Sequence, residues 1–396
     1  MESEEDDDID SNEDTETNIK WEDPANFNPL NLPPFRRRGR NGLLVDTTDY
    51  DIIQYFEIFW PQQIYQLIAE QTNLYAEQFF DCPVEVPPNS RYRAWKDTNA
   101  EEMQAFIALE LAMGICNKPN IEAYWENYWM TATPNFHQVL PRDRFEIIRG
   151  FLHFADNSKR IPSGQDGFDP LYKIRPLLEL TDPPLTTAYA PGQNICIDES
   201  IRKFRGRSIY KQYNPKKPTK WGLKEFLLCE SETGYTLKHT PYVGKYTTAP
   251  TMGRLVTEQV VIDLIDGFHN SSHIVFMDNF YTSPKLFLEL HNLGVGACGT
   301  VRANRRDLPE EVKRAQLRRG DDPIFMSGDK KLLACGWHDV KRVNVLTTVH
   351  NTNIIPKQAR GNFIYSDVHI VFVHLLVLSV VFEHSDFLYI TMFSFW

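Results

Sequence analysis

The sequence predicts an α/β protein, with a mainly helical front part and, behind it, a mixed sheet with flanking helices. Three observations carry this. Apolar residues recur about three and four apart from residue 49 to about 157. From Gln193 the pattern changes to short apolar runs bounded by polar turns. After that change the elements follow the order β-β-β-α-β-α-β.

The helical part is read first. A run from Tyr50 through Phe56 continues through Trp60, Ile64, Leu67 and Ile68, and Pro61 interrupts it by starting a second helix. Asn99 is a good N-cap, with Glu101 and Glu102 in the first turn of a helix running to Gly114. A further helix fits residues 142–154. Trp125, Trp129 and Phe151 on these faces are read as core.

The sheet part follows. Residues 194–197, 222–229 and 235–243 are strands, the last two joined by a turn at 231–234. Residues 251–266 form a helix, 273–277 a buried strand, and Ser283-Pro284 opens a helix that Gly294 stops. Residues 297–302 are a fifth strand. Three strands in a meander followed by right-handed crossovers is a ribonuclease H-like order. Residues 304–323 are charged and helical, and 324–348 are short strands.

The expected division is a disordered acidic and basic tail at 1–45, a helical region at 46–190 and a sheet core at 191–303. An insertion at 304–357 and an atypical apolar tail at 358–396 complete it. With 42% hydrophobic and 13% aromatic residues, wholesale disorder is excluded. The net charge of −11 does not suit a nucleic-acid binder, but residues 1–20 alone contribute −9. Local patches therefore decide. Arg36, Arg37, Arg38 and Arg40 form a basic cluster that fits a nuclear import signal or a phosphate contact. The six cysteines are dispersed and form no CxxC pair. With no secretory signal at the amino terminus, the expectation is a reducing, intracellular setting. Residues 368–382 are almost purely apolar, yet short of the ~20 residues a membrane helix needs. They carry His369 and His374 and lack flanking basic residues, so the abrupt change reads as sequence from another source, not as a membrane segment.

Two residues stand out chemically. Asp198 and Asp278 each end an apolar strand, and parallel neighbours would bring the two carboxylates side by side. Such a pair can share Mg²⁺ or Mn²⁺ for phosphodiester cleavage. A strand-terminal aspartate can equally cap the next turn. Nine basic residues follow the first aspartate: Arg202, Lys203, Arg205, Arg207, Lys211, Lys216, Lys217, Lys220 and Lys224. Against Asp198 and Glu199 they leave +7 over 27 residues, with Tyr210, Tyr213 and Trp221 interleaved. That composition suits a nucleic-acid channel, or a solvated basic face.

The same residues carry a family resemblance. Ile197-Asp198-Glu199-Ser200, Phe204-Arg205-Gly206-Arg207, Tyr213-Asn214-Pro215-Lys216-Lys217-Pro218 and Lys220-Trp221-Gly222-Leu223-Lys224 resemble the signature block of piggyBac-type transposases. Met277 through Ser283 resembles the family's second acidic motif. Arg142-Asp143-Arg144-Phe145, Phe151-Leu152-His153-Phe154 and Tyr172-Lys173-Ile174-Arg175-Pro176 add supporting matches. The resemblance spans about Tyr50 to His350.

It implies a helical dimerisation and DNA-binding region before a ribonuclease H-like core with a late insertion. It also implies three aspartates holding two metal ions, excision of transposon ends, and rejoining at TTAA targets by a nuclear homodimer. Asp198 and Asp278 match the first and second aspartates. The third belongs in a Gly-Gly-Val-Asp-like segment after the insertion, which this sequence lacks; Asp367, Glu383 and Asp386 have no matching context. The family's cysteine-rich zinc module is missing too. The expectations are impaired metal binding and no complete transposition, the alternative being a domesticated, non-catalytic DNA-binding protein.

Overall fold

The computed structural model describes residues 18–352, apart from 41, 83–85, 131, 134–135, 205, 216, 218, 249–252 and 339–340. It also describes the backbone of 356–359 and 362–365. The apolar stretch 368–382 lies outside the described residues. The chain divides into two compact units. One contains the residues up to Leu44, Tyr189–Ile201 and Lys224 onward; the other contains Val45–Ala188 and Arg202–Leu223.

The second of these units is helical. Helix α1 (Ile52–Phe59) starts in a capping box in which Asp51 and Gln54 bond each other's backbone N–H. Pro61 ends the run, and α2 (Gln62–Asp81) begins beside it. Asn99 caps α3 (Ala100–Ile115), its side chain accepting from the Glu102 N–H. Helices α4 (Phe136–Val139), α5 (Arg142–Phe151) and α6 (Arg175–Thr187) follow. Ala76, Ile147 and Phe151 pack with Tyr75, Phe79, Tyr92 and Trp95. Trp129 is not core; it is 80% exposed, because residues 126–130 form no helix face.

The family-like stretches in this unit act as internal ties. Arg144 forks onto Glu102 (Nε to Oε1 2.8 Å, Nη2 to Oε2 2.5 Å) and lies over the Trp95 ring. His153 stacks on Tyr75 with ring centroids 3.5 Å apart. Arg175 forks onto Asp169 at 2.8 and 2.9 Å.

The other unit is built on a sheet. Its strands are β1 (Trp21–Glu22), β2 (Asn194–Lys203), β3 (Lys211–Tyr213), β4 (Trp221–Glu230), β5 (Thr236–Pro241) and β6 (Ile274–Met277). They continue with β7 (Gly296–Thr300), β8 (Ile324–Gly328), β9 (Leu332–His338) and β10 (Arg342–Thr347). The order across the sheet is β1-β8-β9-β10-β7-β6-β2-β4-β3, with β5 on β4. The division between units cuts β2 after Ile201 and β4 before Lys224, so β3 groups with the helices. Strands β2, β6 and β7 are parallel neighbours, as the expected crossovers require. Strands β11 (Pro356–Ala359) and β12 (Asn362–Tyr365) pair separately.

Side-chain alternation gives this sheet two apolar faces. On one, Ile195, Ile197, Val275 and Met277 meet helix α7 (Val256–Ile265), helix α8 (Pro284–Asn292) and helix α9 (Glu310–Arg314). Val261, Leu264, Phe287, Leu290 and Val312 are the buried helix contacts. On the other face lie Cys196, Cys229, Cys298 and Cys335 with Phe276 and Trp337. All four of these cysteines are buried free thiols.

Three expectations need correction. Residues 18–40 are not a disordered tail. β1 pairs antiparallel with β8, and the Asn28 and Leu30 N–H groups donate to the carbonyls of Lys330 and Thr348 at 2.8 Å. Average composition hides these few anchors, among them Trp21 against the core. Residues 324–347 do not stand apart from the sheet either. β10 pairs antiparallel with β7, so β8 to β10 widen the same sheet. Helix α7 starts at Val256, not at residue 251.

Candidate active site and nucleic-acid interface

The parallel register decides where the two aspartates go. Ile197 pairs with Met277, the last pair in the β2–β6 ladder. Asp198 and Asp278 are the next residue on each strand, so their backbones leave the ladder side by side. The sequence reading put Asp198 at the end of its strand. In the structure β2 runs on to Lys203 and only β6 stops, because β2 continues beside β4.

Each carboxylate also serves its own backbone. One Asp278 oxygen accepts from the Phe280 N–H at 2.9 Å, and one Asp198 oxygen from the Glu199 N–H at 2.8 Å. The Asp278 carbonyl accepts from the Thr282 N–H and hydroxyl at 3.2 and 2.7 Å. The turn after Asp278 is therefore fixed. Each aspartate thus caps its own backbone, as a strand-terminal aspartate can.

Neighbours hold this turn. Arg302 donates to the Asn279 side chain at 3.1 Å, and Arg305 to the carbonyls of Asn279 and Phe280 at 2.8 Å. Gly299 pairs with Met277 in the β6–β7 ladder. A Cβ there would lie 2.4 Å from the Met277 carbonyl oxygen and 2.5 Å from the Thr282 hydroxyl. Ser283 caps α8 and donates to the buried Glu258 at 2.7 Å.

Beneath the turn, Tyr281 is buried and its hydroxyl donates to Glu199 at 3.3 Å. Burial, then the negative charges of Glu199, Asp198 and Asp278, push the phenol well above its ordinary pKa. The phenol stays protonated among carboxylates and remains a donor. Sequence reasoning missed Glu199, Tyr281, Arg302 and Arg305 as parts of the site. Glu199 and Tyr281 lie inside the two acidic motifs, whereas Arg302 and Arg305 follow the next strand and carry no local signal.

The nine basic residues divide by burial. Lys224 is buried, its ammonium 4.6 Å from the Phe280 ring centroid, 5.1 Å from Phe226 and 6.0 Å from Tyr242. Arg202 is buried as well. Lys203, Arg207 and Lys220 are exposed, and Lys211 and Lys217 half-buried. Arg205 and Lys216 lie outside the described residues. In the helical unit, β3 and the start of β4 form an antiparallel ribbon with Tyr213 opposite Trp221. Both rings are about half exposed, with centroids 4.7 Å apart, and Lys211 lies 5.5 Å over Trp221. Ile209, near the same ribbon, is 90% exposed.

A family model described as Transposase IS4 matches residues 51–365. The chain belongs to that family of transposases. Within it the likeness is to the piggyBac type. The human piggyBac transposable element-derived protein 2 is 27% identical over 312 residues, covering 73% of this chain and 47% of that protein. The human piggyBac transposable element-derived protein 3 is 25% identical over 356 residues, covering 82% and 56%. The chain thus spans about half the length of these relatives. A piggyBac transposase, solved as a synaptic complex with hairpin DNA, superposes with a TM-score of 0.72 at 24% identity. That match covers 87% of this chain and 69% of the other, and it places the sheet unit in the ribonuclease H-like fold class. Among the described residues, no helix of this transposase-family chain is long and apolar enough to cross a membrane.

Proposed function

We propose that this transposase-family chain is a nuclear DNA-binding protein that holds duplex DNA with its basic ribbon and presents Asp198 and Asp278 to the phosphate backbone. The observation that supports this is the β2–β6 register, in which Asp198 and Asp278 each follow the last paired residue of adjacent parallel strands. The basic and aromatic block follows the first of them in the chain.

The donor set fits a hard divalent cation in kind. Both groups are carboxylates, and beside burial the charges of Glu199, Asp198 and Asp278 raise the Tyr281 phenol. It is sparse in number, since no cluster of three or more such ligands occurs among the described residues. Asp198 and Asp278 would hold Mg²⁺ or Mn²⁺, and such an ion supplies charge stabilisation to a phosphodiester under attack. The chain's own residues fix the backbone of the site: Arg305 and Thr282 hold the turn, and Tyr281 anchors Glu199. Among the described residues these two carboxylates would leave an ion reliant on DNA phosphate and water, and DNA binding is the activity read here. Transposon ends, TTAA targets and a homodimer belong to the same reading, through the family.

Salt-dependent duplex binding is the test. Affinity should fall steeply with salt, with a log–log slope of about −0.9 for each phosphate neutralised. Lys216→Glu with Lys217→Glu should weaken binding to every DNA sequence alike. Unchanged affinity in that variant refutes the ribbon assignment. Excision of an element flanked by matching ends, lost in Asp198→Ala with binding retained, would favour a complete transposase instead.

A further inference from the structure

The basic cluster at residues 36–40 plays no part in the function proposed above, yet the sheet unit holds it firmly. Glu230, at the end of β4, is fully buried, and four groups converge on its carboxylate. Arg37 donates from Nη2 at 2.6 Å, the Tyr189 hydroxyl at 2.5 Å, the Thr233 hydroxyl at 2.5 Å and the Gly192 N–H at 2.6 Å. Arg37 Nε donates to the Ala190 carbonyl at 3.2 Å, and the guanidinium lies 5.1 Å over the Tyr189 ring. Burial alone would raise the Glu230 carboxyl, but Thr233, Tyr189, Gly192 and Arg37 outweigh it and hold it below the ordinary value.

The backbone is stapled as well. The Ala190 N–H donates to the Gly42 carbonyl at 2.7 Å, and Leu43 bridges Tyr189. Gly42 has φ +88°, and a Cβ there would lie 2.7 Å from both the Arg37 guanidinium and the Ala190 carbonyl oxygen. Arg37 therefore points inward, while Arg36, Arg38 and Arg40 are exposed. These three make no ion pair among the described residues. No acidic residue occurs from 31 to 45, so three exposed arginines stand together on the loop, with Asp46 the next acid in the chain.

We propose that Arg36, Arg38 and Arg40 form a second, pre-organised contact for the phosphate backbone of duplex DNA. The proposal rests on the DNA-binding reading above and adds a separate surface to it. The loop docks on Tyr189 and Ala190, which lead into the first residue of β2. Asp198 lies four residues beyond Asn194, or ~13 Å of strand rise from the start of β2. The loop docks before that start, so it grips DNA flanking the position of the carboxylates. An import receptor reads an extended basic peptide. Extending this segment would withdraw Arg37 and leave the Glu230 carboxylate buried without its cation. A docked backbone that holds exposed arginines at set spacing suits phosphates instead.

The full chain is used for the test, with three variants measured against a duplex at several salt concentrations. Arg36→Gln/Arg38→Gln/Arg40→Gln should keep the wild-type melting temperature, weaken binding, and flatten the salt slope by up to ~2.7. Lys217→Glu/Lys220→Glu should flatten it independently. Arg37→Ala should also weaken binding, with a lowered melting temperature, because the loop loses its anchor. If wild type does not bind DNA, the DNA-binding reading and this proposal fall together. If the lysine variant is weakened and the triple arginine variant is not, this proposal alone is overturned. Loss of import-receptor binding in the triple variant with unchanged DNA affinity would overturn it in favour of a localisation signal.

Discussion

His273 should make the sheet unit lose stability as pH falls through a defined window. It sits just before β6, buried between Phe35 and Phe268, whose rings meet it edge-on at 5.1 and 5.2 Å. Its Nδ1 pairs with the Ser271 hydroxyl at 2.8 Å, and its Nε2 finds no partner among the described residues. Burial lowers its pKa to about 4. The unfolded chain takes up a proton below about 6.5, whereas the folded chain resists until about 4. The stabilisation is full above pH 6.5 and is lost as pH falls from about 6.5 to about 4, at up to ~1.4 kcal/mol per unit, or ~3 kcal/mol in all. His273→Phe keeps an aromatic ring, and Ser271 still has the Phe268 carbonyl as acceptor. Urea unfolding of wild type and variant at stepped pH isolates this residue, because other groups cancel in the difference. The difference should change across the window in favour of the variant. A difference flat with pH refutes the assignment of His273 as a buried neutral imidazole.

Further outcomes follow from the same geometry. Asn99→Ala removes the cap of α3 and should cost about 1 kcal/mol in urea unfolding. Gly299→Ala forces a methyl against the Met277 carbonyl and should cost about 1–3 kcal/mol, shifting the amide signals of the Asp278 turn. Arg37→Ala strands the buried Glu230 carboxylate and should cost about 3–5 kcal/mol at neutral pH. The Glu230 carboxyl is held below its ordinary value, so its share of stability is present at neutral pH and lost on acidification. In Arg37→Ala this acid-side loss should begin at higher pH, readable from melting curves at stepped pH.

The sheet core was legible because its cues are local. Apolar runs at 194–197 and 273–277, the cap at Ser283 and the stop at Gly294 each act over a few residues, and the parallel β2–β6–β7 order followed. The two aspartates could be named because each follows such a run. What stayed hidden depends on long-range partners. Trp21 and Phe35 lie in a polar segment, and contacts with residues far along the chain order it. The joining of β10 to β7, which makes residues 324–347 part of the main sheet, is equally non-local. Charge counting treated Arg202, Lys224 and Arg37 like the exposed cations around them. Burial, an aromatic enclosure and a buried glutamate set those three apart, and none of these is visible in the sequence.

The most direct test concerns the carboxylate pair on DNA. Mn²⁺ uptake by the protein–duplex complex can be followed by electron paramagnetic resonance for wild type, Asp198→Ala and Asp278→Ala. Wild type should take up Mn²⁺ that either alanine variant loses, with duplex affinity retained in all three. Equal uptake by wild type and both variants would contradict a metal-holding role for Asp198 and Asp278.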